Sequence, residues 1–339
     1  MTTPSSPASS FPRIWSQAEL VEEAQVALDE FVDRRLAEPA GTYAMHFKAR
    51  RRALVLLFRK LSDVDNLNPS VALVREIIAD KAMFAALRYV AGPPVSEDDL
   101  GVLVTRSVSK IAKKALAEDD ALPVAVLKLI CKMSDPFRFP WIPAGRPPTP
   151  REIREAIAMT SALHASEALQ TERRGYGRAV EQSLVTRLEA MGYVKVTGGR
   201  GKSKPKDGQP SLPPYPPKGR VTQPSHHPAF PHFYGECTVY GRKVDLFIAL
   251  KSGVMIALEA KDSSSALNST KRLLNDTAAK AKHYEVAAGK NVISVALLSG
   301  VFKVADLAQA QTARLFLVWA HDLTEFVDWI GLQTRNINT

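Results

Sequence analysis

Apolar positions from residue 16 to about 135 recur three and four apart, the spacing that gives a helix one buried stripe. The pattern predicts helices over about 17–37, 43–61, 70–91, 97–117 and 122–133, divided by turn segments such as EPAG and AGPPVS. Start signals agree: Ser16 is followed by Glu19, and Ser96 by Asp99, at the spacing that lets a side-chain oxygen take up a first-turn amide. The segment FRFPWIPAGRPPTP, residues 137–150, holds too much proline and glycine to continue a helix and reads as a boundary. Thr149 then caps a new helix, with Pro150 in its first turn and Glu152 closing the capping box. Helical character runs on to Met191, with a break near Gly175 and Gly177.

The stretch GGRGKSKPKDGQPSLPPYPPKGRVTQPSHHPAFPHFYG then carries too many prolines and glycines for regular structure, so 195–235 reads as a long loop. Beyond it the period changes from helical to alternating. RKVDLFIAL and VMIALEAK read as strands, with Lys251, Ser252 and Gly253 as a short hairpin loop between them. A helix over about 269–287, a buried strand VISVALL, a short helix through DLAQAQ, a strand LFLVW and a last helix opened by Asp322 with Glu325 follow. The expected fold class is α/β: an all-helical N-terminal region followed by a mixed sheet flanked by helices. The expected division is a disordered tail over 1–14, a helical domain over 15–148 and a second domain over 149–339.

Composition sharpens this picture. With 339 residues, 45% of them apolar, the chain can bury its own core, and a formal charge of +10 favours a polyanionic partner such as nucleic acid. Cys131 and Cys237 are the two cysteines, which excludes a disulfide framework and a CxxC zinc site and fits a reducing cytoplasm. The start MTTPSSPASSFP has neither basic leader nor apolar core, and no apolar stretch approaches the ~20 residues that span a bilayer. A cytoplasmic protein without a membrane partner is expected.

The hairpin concentrates the chemistry. If Ser252 is the middle of a three-residue loop, Leu250 pairs with Val254, and continuing the ladder puts Asp245 opposite Glu259. Lys261 lies two residues beyond Glu259, on the same face, while Val254, Ile256, Leu258 and Ala260 form the other face, to be buried against a helix. Phosphodiester hydrolysis needs a metal to neutralise the phosphate, a hydroxide near neutral pH and a positive group beside the nucleophile. Asp245 and Glu259 offer hard oxygen ligands suited to Mg²⁺, and Lys261 the positive group. Two clustered carboxylates are unfavourable without a cation. The same pattern also arises as the solvated face of an amphipathic hairpin.

Other residues extend the site. Glu181 falls inside the apolar stripe of Val180, Leu184, Val185, Leu188 and Met191, so it points either toward the sheet or, at the stripe's edge, toward solvent. The basic loop, with Arg200, Lys202 and Lys204 among its cations, can follow a phosphate backbone or act only as a solvated linker. Asn268, Ser269, Lys271 and Arg272 surround a helix N-terminus, which can hold phosphate or serve ordinary capping. His226, His227, His232 and Cys237 match no metal-ligand spacing, and His321 reads as structural.

The order helix Glu181, strand Asp245, then Glu259 and Lys261 as E-x-K resembles the PD-(D/E)XK nuclease core. The segments GPPVSEDDL, FRFPWIPAGRPPTPRE, GRKVDLFIALKSGVMIALEAKDSSSALNSTKRLLNDTAAKA, LLSGVFKVADLAQAQ and VWAHDL resemble the XamI-type Type II restriction endonucleases. The resemblance implies a PD-(D/E)XK-type mixed-sheet core within 149–339 and hydrolysis of double-stranded DNA at a short palindromic site, leaving 5′-phosphate ends. It implies metal-ligand roles for Asp245 and Glu259, water positioning by Lys261, and the helix carboxylate for Glu181. Val244 stands where the motif commonly has proline. A homodimer matching a palindrome and a cognate DNA methyltransferase as genetic partner are further implications. The alternatives are a structure-specific repair or recombination nuclease and a non-catalytic DNA-binding protein.

Overall fold

A computed structural model describes residues 12–62, 69–107, 115, 118–196 and 215–335. The chain divides into two compact units, Leu36–Arg173 and a second made of Met1–Arg35 with Arg174–Thr339. In chain order the helices are α1 (Gln17–Ala37), α2 (Ala44–Ser62), α3 (Val71–Ala79), α4 (Lys81–Arg88), α5 (Glu97–Thr105), α6 (Ala121–Lys132) and α7 (Pro150–Ala190). After the first strands come α8 (Ala266–Thr270), a wide π turn over Lys271–Ala278, α9 (Ala279–Ala288), α10 (Val304–Thr312) and α11 (Thr324–Arg335).

The unit Leu36–Arg173 is helical around a core of Leu54, Leu57, Val74, Ile77, Leu87, Leu100, Val126 and Ile130. The helix expected over 70–91 is two helices, because Asp80 leaves the helical backbone and its carboxylate accepts from the amides of Ala82 and Met83, opening a new first turn. α5 ends at Thr105, where Arg106 turns left-handed at φ 55°, short of the expected 117. Residues 108–114 and 116–117 of that expectation lie outside the described residues. The proline-rich segment 137–150 is irregular, as expected, yet Phe139 and Trp141 are buried in the core. Proline and glycine exclude a helix; they do not exclude burial of the aromatic side chains between them.

α7 runs unbroken through Gly175 and Gly177. Each glycine costs a helix about 1 kcal/mol relative to alanine. Val180, Leu184, Val185 and Leu188, packed on the sheet beyond them, offset that cost.

The other unit is built on a six-stranded mixed sheet in the order β1-β3-β6-β7-β8-β9. Its strands are β1 (Val194–Val196), β3 (His232–Tyr234), β6 (Leu246–Ala249), β7 (Met255–Ser263), β8 (Val292–Gly300) and β9 (Leu315–Trp319). β7, β8 and β9 run parallel, whereas β6 is antiparallel to both β3 and β7. A second sheet, β2-β4-β5, holds β2 (Arg220–Val221), β4 (Cys237–Val239) and β5 (Arg242–Val244). The expected loop 195–235 therefore carries strands at its described ends, since prolines leave short runs such as HFY able to pair. Residues 197–214 of that loop lie outside the described residues.

One face of the large sheet buries Leu246, Ile248, Ile256 and Leu258 against Val180, Leu184 and Leu188 of α7. The face opposite buries Phe247, Met255 and Ala257 with Tyr284 of α9. The apolar side expected for the second hairpin strand is thus the one that α7 covers. At the far end of β7, Gly300 adopts φ +88° beside Ser263, and a Cβ there would lie 2.1 Å from the Ser263 carbonyl oxygen. Only glycine lets β8 close on β7 at this point, with the Val301 amide donating to that same oxygen at 2.8 Å.

Candidate active site

The hairpin register is the one that loop length predicts: Leu250 N donates to Val254 O at 2.8 Å, and Leu246 pairs with Leu258. The expected strand RKVDLFIAL, however, is two strands in two sheets, and Asp245 is the bend between them. Val244 leaves with the small sheet, so the edge of β7 opposite Ala260 has no backbone partner from β5. Asp245 supplies one with its side chain. Its amide donates to Leu258 O at 3.0 Å, and its Oδ2 accepts from Ala260 N at 2.8 Å. The carboxylate is therefore fastened to the residue between Glu259 and Lys261.

Glu259 and Lys261 project from the opposite side of β7 to Leu258, toward the helical segment that follows the strand. Glu259 is 5% exposed, and its carboxylate meets two ammonium groups. Oε2 pairs with Lys261 Nζ, and Oε1 lies 2.6 Å from Lys280 Nζ. Asp276 mirrors it, accepting from Lys261 at 3.1 Å and from Lys280 at 3.2 Å. Two carboxylates and two ammonium groups thus alternate around a closed ring. Asp276 lies in the π turn and Lys280 one turn on, so this helix, not the solvent, completes the E-x-K strand. Burial works to lower the Lys261 ammonium, but Glu259 and Asp276 outweigh it and hold its pKa above the ordinary value. Burial likewise works to raise the Asp276 carboxyl, and the two lysines outweigh it, so that group ends below the usual carboxylate range.

Asp245 is placed differently. Burial raises its carboxyl; the Ala260 amide opposes this, and the negative charge of Glu259 adds to it. Glu181, half-buried on α7, is raised by burial first and by the charge of Asp245 second. The charge of Asp245 thus weighs on Glu181, and that of Glu259 on Asp245. Among the described residues no group of three or more His, Cys, Asp or Glu side chains has the geometry to hold a metal ion. The sequence pattern predicts a metal ion at this carboxylate pair; in the structure two lysines neutralise Glu259, while burial and the charge of Glu259 strain Asp245.

That strain has a measurable sign. Folded Asp245 keeps its proton to higher pH than the unfolded chain does, so stability falls as pH rises through the window above the ordinary carboxyl range. Asp245→Asn keeps an acceptor for the Ala260 amide and removes the charge. Without divalent ions it is expected to raise Tm by roughly 1–3 °C at alkaline pH, a gain that fades on acidification toward pH ~4. Thermal melts across that range check it, and a Tm lowered at every pH would refute the electrostatic account.

The remaining sequence candidates are dispersed. Arg200, Lys202 and Lys204 lie outside the described residues, as does the side chain of Asn268. Ser269 is fully buried, so its hydroxyl is not presented to a phosphate. Lys271 and Arg272 are exposed, and the Arg272 guanidinium donates to Asp262 O at 2.9 Å, holding it beside the end of β7. His227 bonds the Tyr240 hydroxyl at 2.9 Å and His232 the Ala229 carbonyl at 2.8 Å, so these histidines serve local structure. His321 does the same, bonding Glu23 at 2.6 Å and stacking on Trp319. Sequence reasoning missed Asp276 and Lys280; their i,i+4 spacing was the available signal.

The family described as XamI restriction endonuclease matches residues 68–319 of the chain. The Type II restriction enzyme XamI of Xanthomonas campestris pv. amaranthicola is 32% identical over 279 residues, which cover 81% of this chain and 92% of that enzyme. No solved structure matches the chain.

Proposed function

We propose, given that the chain belongs to the XamI restriction endonuclease family, that Asp245, Glu259 and Lys261 form the active centre of a Mg²⁺-dependent site-specific deoxyribonuclease. The chain's function is that of a Type II restriction endonuclease. The observation that supports this placement of the centre is the fastening of the Asp245 carboxylate to Ala260, between Glu259 and Lys261, at the changeover between two sheets. No helix among the described residues is long and apolar enough to cross a membrane.

The donor set suits Mg²⁺. Asp245 and Glu259 would hold the ion through hard carboxylate oxygens, the one or two ligands that Mg²⁺ takes when it keeps several waters. When bound, the ion would neutralise the phosphate and make a bound water more acidic. The rest falls to this chain's own groups. Lys261, kept charged by Glu259 and Asp276, sets a positive group beside the reacting phosphate and orients the attacking water. Asp276 positions Lys261 by holding its ammonium at 3.1 Å. Glu181 adds negative charge beside Asp245 and strengthens the demand for a cation there. Lys271 and Arg272 lie exposed at the end of β7, where a DNA backbone leaving the centre would pass.

The substrate we assign is double-stranded DNA with a short palindromic site, cut to leave 5′-phosphates by a homodimer whose two-fold axis matches that of the site. A DNA methyltransferase encoded alongside would protect the host. Digestion of unmethylated plasmid and phage DNA, with and without Mg²⁺, is expected to give discrete, Mg²⁺-dependent fragments whose mapped ends share one symmetric sequence. Smears or end-dependent digestion would indicate a structure-specific nuclease. Intact DNA that still shifts on a gel would indicate a non-catalytic binder.

A further inference from the structure

Lys280 is held more tightly than a surface lysine. Its side chain is 15% exposed, and its three N–H donors meet Glu259 Oε1 at 2.6 Å, Asp276 Oδ1 at 3.2 Å and the Lys243 carbonyl at 3.2 Å. Lys261 takes the other oxygen of Glu259. Both oxygens of that buried carboxylate therefore face an ammonium group. Charge is unevenly shared across the site: Glu259 has two cations, while Asp245 has the Ala260 amide and stands close enough to Glu259 to feel its charge.

An ammonium and a divalent cation want the same thing from Glu259, a hard oxygen lone pair in a place where burial strengthens the attraction. They also repel each other, so they do not share one oxygen in so small a volume. Lys261 is bound to stay near Glu259, two residues along the same strand. Lys280 arrives from a helix and has two other acceptors to fall back on.

We propose that Lys280 is the resident counter-ion of Glu259 in the metal-free protein, so that its ammonium and a divalent cation occupy Glu259 alternately. Displaced from Glu259, Lys280 keeps Asp276 and the Lys243 carbonyl. Its ammonium stays at the mouth of the site with one donor released toward an incoming phosphate oxygen. The device keeps the buried carboxylate neutralised without metal and adds a positive charge to the phosphate side once the site is loaded. It rests on the reading of Asp245 and Glu259 as the metal ligands.

The test is calorimetric titration of the DNA-free protein with Mn²⁺, set beside cleavage under single-turnover conditions at saturating Mg²⁺. Lys280→Met is expected to bind Mn²⁺ roughly tenfold more tightly, since a competing cation is gone, and yet to cut more slowly. Lys282→Met removes an exposed charge two positions along the same helix and should change neither by more than about twofold. Should Lys280→Met fail to fold by thermal melt, Lys280→Gln gives the same readout with a hydrogen-bonding side chain in place. Unchanged or weaker Mn²⁺ affinity in the folded Lys280 variant, or equal tightening in Lys282→Met, overturns the proposal. Glu259→Gln separates the two ideas: if it binds Mn²⁺ as the parent does, the metal-ligand reading itself fails.

Discussion

Glu259→Ala and Lys261→Ala are each expected to lower the single-turnover cleavage rate at saturating Mg²⁺ by at least about 10³-fold, while DNA binding stays within a few fold. The two losses have different origins. Without Glu259 the centre keeps Asp245 alone as a strand carboxylate, and Lys261 and Lys280 are left facing each other across Asp276. Added net positive charge beside the phosphate should hold or tighten DNA binding even as chemistry stops. Without Lys261, Glu259 keeps Lys280 and the strand keeps its fold, but the group beside the nucleophile is gone. Glu259→Gln serves as the control for folding, because it keeps the shape of the side chain and one oxygen acceptor in place of the two that the lysines now share. Gel shifts in Ca²⁺ and rapid-quench cleavage in Mg²⁺ read the two quantities separately. A Lys261→Ala enzyme that cuts within about tenfold of the parent would remove this lysine from the mechanism.

Local rules were legible wherever a side chain answers to its own neighbours in sequence. Ser16 and Glu19 exchange the expected bonds, with Ser16 N reaching Glu19 Oε2 at 2.6 Å, and Thr149 and Glu152 do the same at 2.7 Å. The hairpin is equally local, since three loop residues set its register and a strand alternates with period two. That register by itself places Asp245 beside the strand positions of Glu259 and Lys261.

What the sequence hid depends on tertiary partners. RKVDLFIAL alternates well enough to read as one strand, and nothing within it tells that Val244 pairs with Cys237 in a different sheet from Leu246. The bend at Asp245 follows from where β4 lies, yet that bend turns an exposed ladder position into a carboxylate tied to β7. Asp276 and Lys280 look like an i,i+4 pair on a solvated helix face; they become the other half of the charge ring because that helix packs over Glu259 and Lys261. Asp80 sits inside an unbroken helical period, so its role as a cap shows only in the backbone it adopts.

The same dependence on tertiary partners makes Arg138 the most consequential residue of the helical unit. It lies in the proline-rich segment read from sequence as a boundary, and its side chain is 6% exposed. Nε pairs with Asp135 at 2.7 Å, Nη1 donates to Tyr89 O at 2.7 Å and to Thr160 Oγ1 at 3.1 Å, and Nη2 donates to Ala91 O at 2.8 Å. One planar fork thereby joins the end of α4, the irregular segment and α7. Burial works to raise the Asp135 carboxyl, but Arg138 and the amides of Phe137 and Arg138 outweigh it and hold it below its ordinary range. Arg138→Leu would leave that carboxylate, two carbonyls and the Thr160 hydroxyl without this donor. The expected cost is about 3–5 kcal/mol, a large share of the 5–15 kcal/mol that typically separates folded from unfolded chains. Arg138→Lys should recover only part of it, because one ammonium cannot reach acceptors spread around a planar fork. The parent's advantage should also shrink as pH falls through the depressed Asp135 range, since a protonated carboxyl keeps only a neutral hydrogen bond to the arginine. Urea titrations at neutral and acidic pH measure both effects, and an Arg138→Leu protein within about 1 kcal/mol of the parent would show that this network does not hold the unit together.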